Sequence, residues 1–270
     1  MARAPKPPAD RAKPSAEGDA FKRGEADSLP FVTLVPNMVT TLGLCAGLTA
    51  IRFVIAGEFH IAVWLILFST VIDGLDGLLA RRLQATSDFG AQLDSLSDFL
   101  NFGVAPGFIV YQMALAQSEQ AGGWIFILVY IVCCCMRLAR FNVALNKATT
   151  TDSSEKPAHF TGVPAPAGAL MALLPVFVSF ETGLELAAFP IPVEFYIVII
   201  GLLMVSRLPT FSPKSVRVPR ERIVWVMIAL SLAAGTMLAE FWKSLIVIIL
   251  VYAASLLHSF AKVLLGRRRR

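Results

Sequence analysis

From Phe31 onward the sequence is a succession of apolar stretches divided by short polar breaks, and many of these stretches are long enough to cross a bilayer. A membrane-spanning helix needs about 20 mostly apolar residues. Eight stretches qualify or come close: 36–56, 60–81, 94–116, 123–143, 164–182, 192–206, 223–239 and 243–264. Inside a bilayer no water is present to satisfy backbone N–H and C=O groups, so such segments fold as helices. The composition agrees. Apolar residues make up 56% of the 270 and charged residues 16%, against about 25% charged in soluble domains. The mean hydropathy is +0.67. An ordinary soluble enzyme is excluded, as is disorder over most of the chain. The expected fold is an all-α polytopic membrane protein, a bundle of about eight transmembrane helices.

Residues 1–30 are rich in Pro, Ala, Lys, Asp and Glu and lack an apolar run. They read as a disordered tail rather than a signal peptide or part of a core. The net charge of +5 is distributed by topology. If the tail is cytoplasmic, the loops on its side carry Arg81, Arg82, Arg140, Lys147, Lys156, Arg207, Lys214, Arg217, Arg220 and Arg222. The C-terminus adds Lys262 and Arg267 to Arg270 on the same side. The opposite loops, GEFH, QSEQAG, TGLELAAFPIP and EFWK, hold only Lys243. This asymmetry follows the positive-inside rule and puts both termini in the cytoplasm. It accounts for the basic balance without a nucleic-acid partner. Three of the four cysteines, Cys133, Cys134 and Cys135, are adjacent; on a helix they point about 100° apart and cannot share a metal. These three are expected to be small buried helix residues, and Cys45 stands apart from them.

Acids near a membrane interior are costly and default to a functional reading. Asp73, Asp76, Asp94 and Asp98 lie within VIDGLDGLLARRLQATSDFGAQLDSLSDFLNFG. The first two are spaced i, i+3 and the last two i, i+4, so each pair lies on one helix face. The break RRLQATSDFGAQ lets the two helices form an antiparallel hairpin. The four carboxylates then meet at the cytoplasmic end. Their repulsion calls for a hard divalent cation, and all-oxygen ligands suit Mg2+ or Mn2+. Two ions would match phosphoryl chemistry. Gly74 and Gly77 leave room beside the acids for a phosphate ester, Ala80 keeps the surface low, and Arg81 offers a fork of donors to a diphosphate. Gly90 is expected to flank the second pair in the same way, and Asp88 to face water outside the site.

These residues fill the pattern D-x2-D-G-x2-A-R-x8-G-x3-D-x3-D without departure, at Asp73, Asp76, Gly77, Ala80, Arg81, Gly90, Asp94 and Asp98. The chain thereby resembles the CDP-alcohol phosphotransferase family. The resemblance implies an integral membrane enzyme that moves a substituted phosphoryl group from a CDP-linked donor to an alcohol and releases CMP. It implies that the acids hold two divalent ions and that Asp98 acts as base. The flanks VPNMVTTLGLCAG, LDSLSDFLNFGVAPG, RLARFNV, FTGVPAPAGA and PTFSPK are similar to the branch that joins CDP-diacylglycerol to L-serine. That branch often has Ser where this chain has Asn101.

Under this resemblance Asn37, after Pro36 at the start of the first span, is a candidate contact to the donor's nucleotide. Arg137 and Arg140 are candidates for the serine carboxylate, with Asn142 a less specific third. Lys214 and Arg217 are candidate contacts to diphosphate or anionic lipid, and His159 reads as a solvated loop residue. Trp64, Trp124, Trp225 and Trp242 read as interfacial or packing residues. The expected organisation is a tail over 1–30, a catalytic membrane core over 31–222, and two further helices with a basic tail over 223–270. The expected location is the inner membrane of a bacterial cell, among membrane lipids, and a homodimer is compatible with it. Two rival functions follow from the same residues. One is the same transfer to another alcohol, such as glycerol 3-phosphate or an inositol phosphate. The other is cation transport, which accounts for four acids but not for the glycines, alanine and arginine around them.

Overall fold

The computed structural model of the chain describes residues 31–83, 87–116, 122–150, 162–206 and 222–267. Among them every regular element is helical. Helix α1 (Phe31–Ile55) and α2 (Phe59–Leu83) form an antiparallel hairpin packed along its length. Gly57, at φ 80°, makes the turn between them. Next comes α3 (Asp88–Phe99), begun by Ser87, whose Oγ accepts the Gly90 N–H at 3.0 Å. It runs on through a π-helical turn (Leu100–Val104), α4 (Ala105–Val110) and a second π-helical turn (Tyr111–Leu115). Helix α5 spans Gly123–Thr150; α6 (Ala165–Ala172) and α7 (Leu174–Thr182) follow, then a short 3-10 turn (Leu186–Ala188). The chain ends in α8 (Pro190–Val205), α9 (Ile223–Ala239) and α10 (Phe241–Arg267).

Among the described residues five segments are long and apolar enough to cross a membrane: 34–55, 59–79, 123–144, 165–182 and 241–259. Two shorter apolar helices, Pro190–Val205 and Val224–Ala239, accompany them. Together with the family membership established below, this makes the chain an integral membrane protein. The tail over 1–30, His159, Lys214 and Arg217 lie outside the described residues.

Lipid supplies no hydrophobic force between apolar helices, so close approach depends on small residues. A Cβ on Gly103 would stand 3.1 Å from Cys134 Sγ, and one on Gly107 3.2 Å from Ile127. One on Gly201 would stand 3.1 Å from the Tyr130 α-carbon. The third helix and α8 therefore both press against α5 through glycine. The core between them contains Val63, Ile66, Phe102, Ile109, Tyr130 and Phe177. Cys133 and Cys134 join this packing as expected, but Cys135 is exposed, contrary to expectation, as is Cys45. The helix rotation set by these glycine contacts turns Cys135 outward.

Pro106 and Pro175, each just inside a helix that continues an earlier one, lack the N–H that a carbonyl four residues earlier would receive. For Pro106 that carbonyl belongs to Phe102, and for Pro175 to Met171. A tyrosine answers each: Tyr130 Oη donates to Phe102 O at 2.6 Å, and Tyr196 Oη to Met171 O at 2.6 Å. In a bilayer, where no water could do this, a neighbouring helix has to.

At one end of the bundle an aromatic group gathers His60, Trp64, Phe177, Phe180, Phe241 and Trp242, with the His60 and Phe180 ring centroids 3.8 Å apart. Lys243 bridges Glu181 and Glu240 beside it, at 3.2 and 2.9 Å. Trp64 and Trp242 thus pack as expected for an interfacial belt. Asp73 and Asp76 lie nearer the other end of α2.

Candidate active site

The acids sit where α2 and α3 face each other. Asp73 and Asp76 come from the second half of α2, and Asp94 and Asp98 from α3. Carboxylate oxygens of Asp73, Asp76 and Asp94 all lie within 4.8 Å of one another. The Asp98 carboxylate meets that of Asp73 at hydrogen-bonding range. Asp76 is buried, while Asp73, Asp94 and Asp98 are partly exposed. Four like charges at this range repel each other strongly in a low dielectric.

The donor set fits a hard cation. Magnesium binds oxygen at 2.0–2.1 Å, so ligands on opposite sides stand about 4.2 Å apart. The separation among the three acids is close to that span. A partly exposed rim formed by Asp73, Asp94 and Asp98 leaves positions open to a phosphate-bearing ligand.

Gly74 is exposed, and a Cβ there would meet nothing within 4 Å, which agrees with an open approach beside the acids. Gly77 is half-buried on the same helix. Gly90 does something else. A Cβ at this position would stand 2.6 Å from Asn37 Oδ1 and 3.1 Å from Ser87 Oγ. Its smallness lets α3 begin against Asn37 of α1, which brings the candidate nucleotide contact next to the second acid pair. Ala80 and Arg81 lie on the last turns of α2, and their side chains are outside the described part.

The candidates for the acceptor carboxylate are dispersed by their own hydrogen bonds. Arg137 Nε donates to Val163 O at 2.5 Å, which ties α5 to the chain entering α6. Its guanidinium also acts electrostatically on Asp98, and among the described residues its Nη1 and Nη2 have no hydrogen-bond partner. Arg140 Nη1 donates to Val205 O at 2.8 Å and Nη2 approaches Ser206 O at 3.4 Å. It thus holds the C-terminal carbonyls of α8, a usual place for a cation. Asn142 exchanges hydrogen bonds with Ser95, at 2.8 and 3.1 Å, and so fastens α5 to α3 between Asp94 and Asp98. Of the three, Arg137 is the one whose charge acts on Asp98.

Thr40, which no spacing argument singled out, donates from Oγ1 to Asp76 Oδ2 at 2.8 Å. The two are 36 residues apart and belong to different helices, so only the α1–α2 pairing brings them together.

The sequence is similar to several known proteins. The chain is 35% identical over 221 residues to the CDP-diacylglycerol–serine O-phosphatidyltransferase of Mycobacterium leprae, covering 81% of this chain and 72% of that protein. It is 36% identical over 203 residues to the enzyme of the same name from Helicobacter pylori, covering 74% and 81%. With that of Bacillus subtilis it shares 36% over 141 residues, covering 52% and 74%. The profile of the CDP-alcohol phosphatidyltransferase family matches residues 33–266, a stretch that includes all four aspartates, and the chain belongs to that family.

Proposed function

We propose that this chain transfers the phosphatidyl group from CDP-diacylglycerol to L-serine, forming phosphatidylserine and releasing CMP. The observation that carries the reading is the similarity, across most of both chains, to the serine O-phosphatidyltransferases of M. leprae and H. pylori. The complete aspartate pattern supports it.

Asp73, Asp76 and Asp94, with Asp98 sharing, are assigned to hold Mg2+ or Mn2+, in two ions. A divalent cation bound there neutralises the carboxylates and favours the negative charge that builds on the departing CMP. Asp98 stands one helical turn beyond Asp94 on the same face and takes the proton from the serine hydroxyl. The hydroxyl oxygen bonds to the phosphorus that carries diacylglycerol, the bond from that phosphorus to the CMP oxygen breaks, and CMP leaves. A carboxylate is a weak base for an alcohol, so positioning and electrostatics supply much of the rate. Asn37, Gly74, Gly77, Ala80, Arg81 and Gly90 are assigned to the donor, and the free Nη atoms of Arg137 to the serine carboxylate. Arg140 and Asn142 frame that pocket through the backbone and Ser95. Lys214 and Arg217 remain assigned to diphosphate or anionic lipid.

The proposal extends to topology. Eight crossings are reached by adding the π-interrupted helix over 88–115, α8 and α9 to the five longest segments. The catalytic core is then 31–222 and the last two helices are an addition. The charge asymmetry supports cytoplasmic termini, a cytoplasmic Asp cluster and residence in a bacterial inner membrane. A homodimer is compatible with this arrangement, and the mass of the protein in nanodiscs tests it.

The decisive experiment measures CMP formed by purified protein from CDP-diacylglycerol, with L-serine, glycerol 3-phosphate or inositol phosphate as acceptor. Serine-dependent CMP and phosphatidylserine are expected. CMP formed only with another alcohol would replace the acceptor, and no CMP with any acceptor would return the acids to ion transport.

A further inference from the structure

Behind the acid cluster, on the side away from its rim, four polar side chains are stacked in an otherwise apolar wall. Asp76, Thr40, Ser97 and Asn101 are all buried, none more than 6% exposed. Thr40 Oγ1 has one proton and two acceptors in reach, Asp76 Oδ2 at 2.8 Å and Pro36 O at 3.1 Å. The shorter, charged acceptor takes it. Ser97 Oγ lies 3.5 Å from the backbone oxygen of Thr40, and Asn101 Nδ2 donates to Ser97 Oγ at 3.2 Å. Asn101 and Ser97 thus lead to the backbone of α1 at Thr40, and the Thr40 hydroxyl makes the separate bond to the carboxylate.

The far end of this chain is unsatisfied. Asn101 Oδ1 is buried and has no hydrogen-bond partner. It occupies the space that a side chain on Gly47 would fill. Gly43 is also near, since a Cβ there would stand in ordinary contact with Asn101 Nδ2, at 3.7 Å. An apolar residue of the same shape would avoid a buried acceptor without a donor. An amide here is a burden to folding, and the group it serves is Ser97. π-Helical turns inside α-helices are frequently found at functional sites, and Asn101 stands in one.

We propose that Thr40, backed by Ser97 and Asn101, is a positioning device that holds the Asp76 carboxylate in its metal-binding orientation. The inference rests on the metal reading given above. Groups that hydrogen-bond metal ligands fix the ligand's rotamer, and their removal commonly weakens metal affinity by about 10–100-fold. Asn101 differs from a merely structural residue in a way that can be measured. Removing its amide relieves a folding burden while loosening the site.

The test is Mn2+ binding to the detergent-purified protein, followed by calorimetry and by the paramagnetic signal of free Mn2+, with melting temperature in parallel. Thr40→Val keeps the shape and loses the hydroxyl, and is expected to weaken Mn2+ binding about 10–100-fold. Thr40→Ser restores the donor and should restore most of the affinity. Asn101→Leu should weaken binding about two- to tenfold, as for one ordinary hydrogen bond, with an unchanged or higher melting temperature. Unchanged Mn2+ affinity in Thr40→Val would overturn the proposal. So would equal loss in Thr40→Ser, or a fall in melting temperature without a change in Mn2+ affinity in Asn101→Leu. Failure of the parent protein to bind Mn2+ would instead overturn the metal assignment, and this inference with it.

Discussion

The two ends of the acid cluster separate ligand from base. Asp76 is buried and receives the Thr40 hydroxyl, whereas Asp98 is partly exposed and sits against Asp73 and the Arg137 charge. Under the proposed reaction Asp98→Asn should keep CDP-diacylglycerol affinity while turnover falls about 10²–10⁴-fold, since an amide cannot accept the serine proton. Asp76→Asn should lose metal and donor affinity together. Donor binding and CMP release measured side by side, at saturating metal, check this. If Asp98→Asn loses donor affinity as fully as Asp76→Asn, Asp98 is no separate base. All four acids were legible in the sequence because a costly charge in an apolar run marks itself and helical spacing puts each pair on one face. Gly90 was legible only in part. Its need to be small could be read, but the neighbour that demands it, Asn37, comes from another helix.

At the scale of the element, the π-interrupted third helix and the α6–α7 break show how prolines are accommodated within apolar helices. The rings of Tyr130 and Tyr196 pack in the core while their hydroxyls reach the carbonyls that Pro106 and Pro175 leave without an N–H. Replacing either tyrosine by Phe keeps the ring and leaves a buried carbonyl short of a donor, a change that costs about 1–3 kcal/mol. Each variant should therefore unfold at a lower temperature in detergent, and the double variant lower still, because the two sites share no partner. A Phe variant with unchanged thermal stability would show that those carbonyls are satisfied in another way. The sequence placed the starts of these helices closely and their ends less so: the expected 60–81 and 123–143 became Phe59–Leu83 and Gly123–Thr150. It did not announce the π-helical turns, since their extra residue leaves the apolar run unbroken.

For the whole molecule, the distribution of charge and the depth of the acids lead to two expectations. Chelation of divalent ions should abolish CMP release, and Mg2+ or Mn2+ should restore it; full activity after exhaustive chelation would exclude the metal reading. In sealed vesicles, single cysteines placed at 150 or 215 should react only with reagents that reach the cytoplasmic side. Outside labelling at either position would invert the topology. Helix α9 shows what the bilayer contributes to this fold. Its described side chains are exposed, Trp225 at 71% and Leu238 at 89%, and it packs on α10. In water such a helix would be an aggregation hazard, whereas in lipid its apolar surface is already solvated.

Span length, charge asymmetry and acid spacing are properties of one segment at a time, so the sequence alone determined the helical membrane fold, the aspartate set and its family. Which side chains meet across helices was decided by tertiary structure. The bond from Thr40 to Asp76 is one case, and the ties of Asn142 to Ser95 and of Arg140 to the end of α8 are others. The outward turn of Cys135, next to the buried Cys134, is a further case. The reason is geometric. Apolar helices look alike around most of their circumference, so hydropathy says that they lie in the membrane but not which face each turns to its neighbour. That choice falls to glycines such as Gly103, Gly107 and Gly201, whose lack of a side chain lets two backbones close and fixes their rotation.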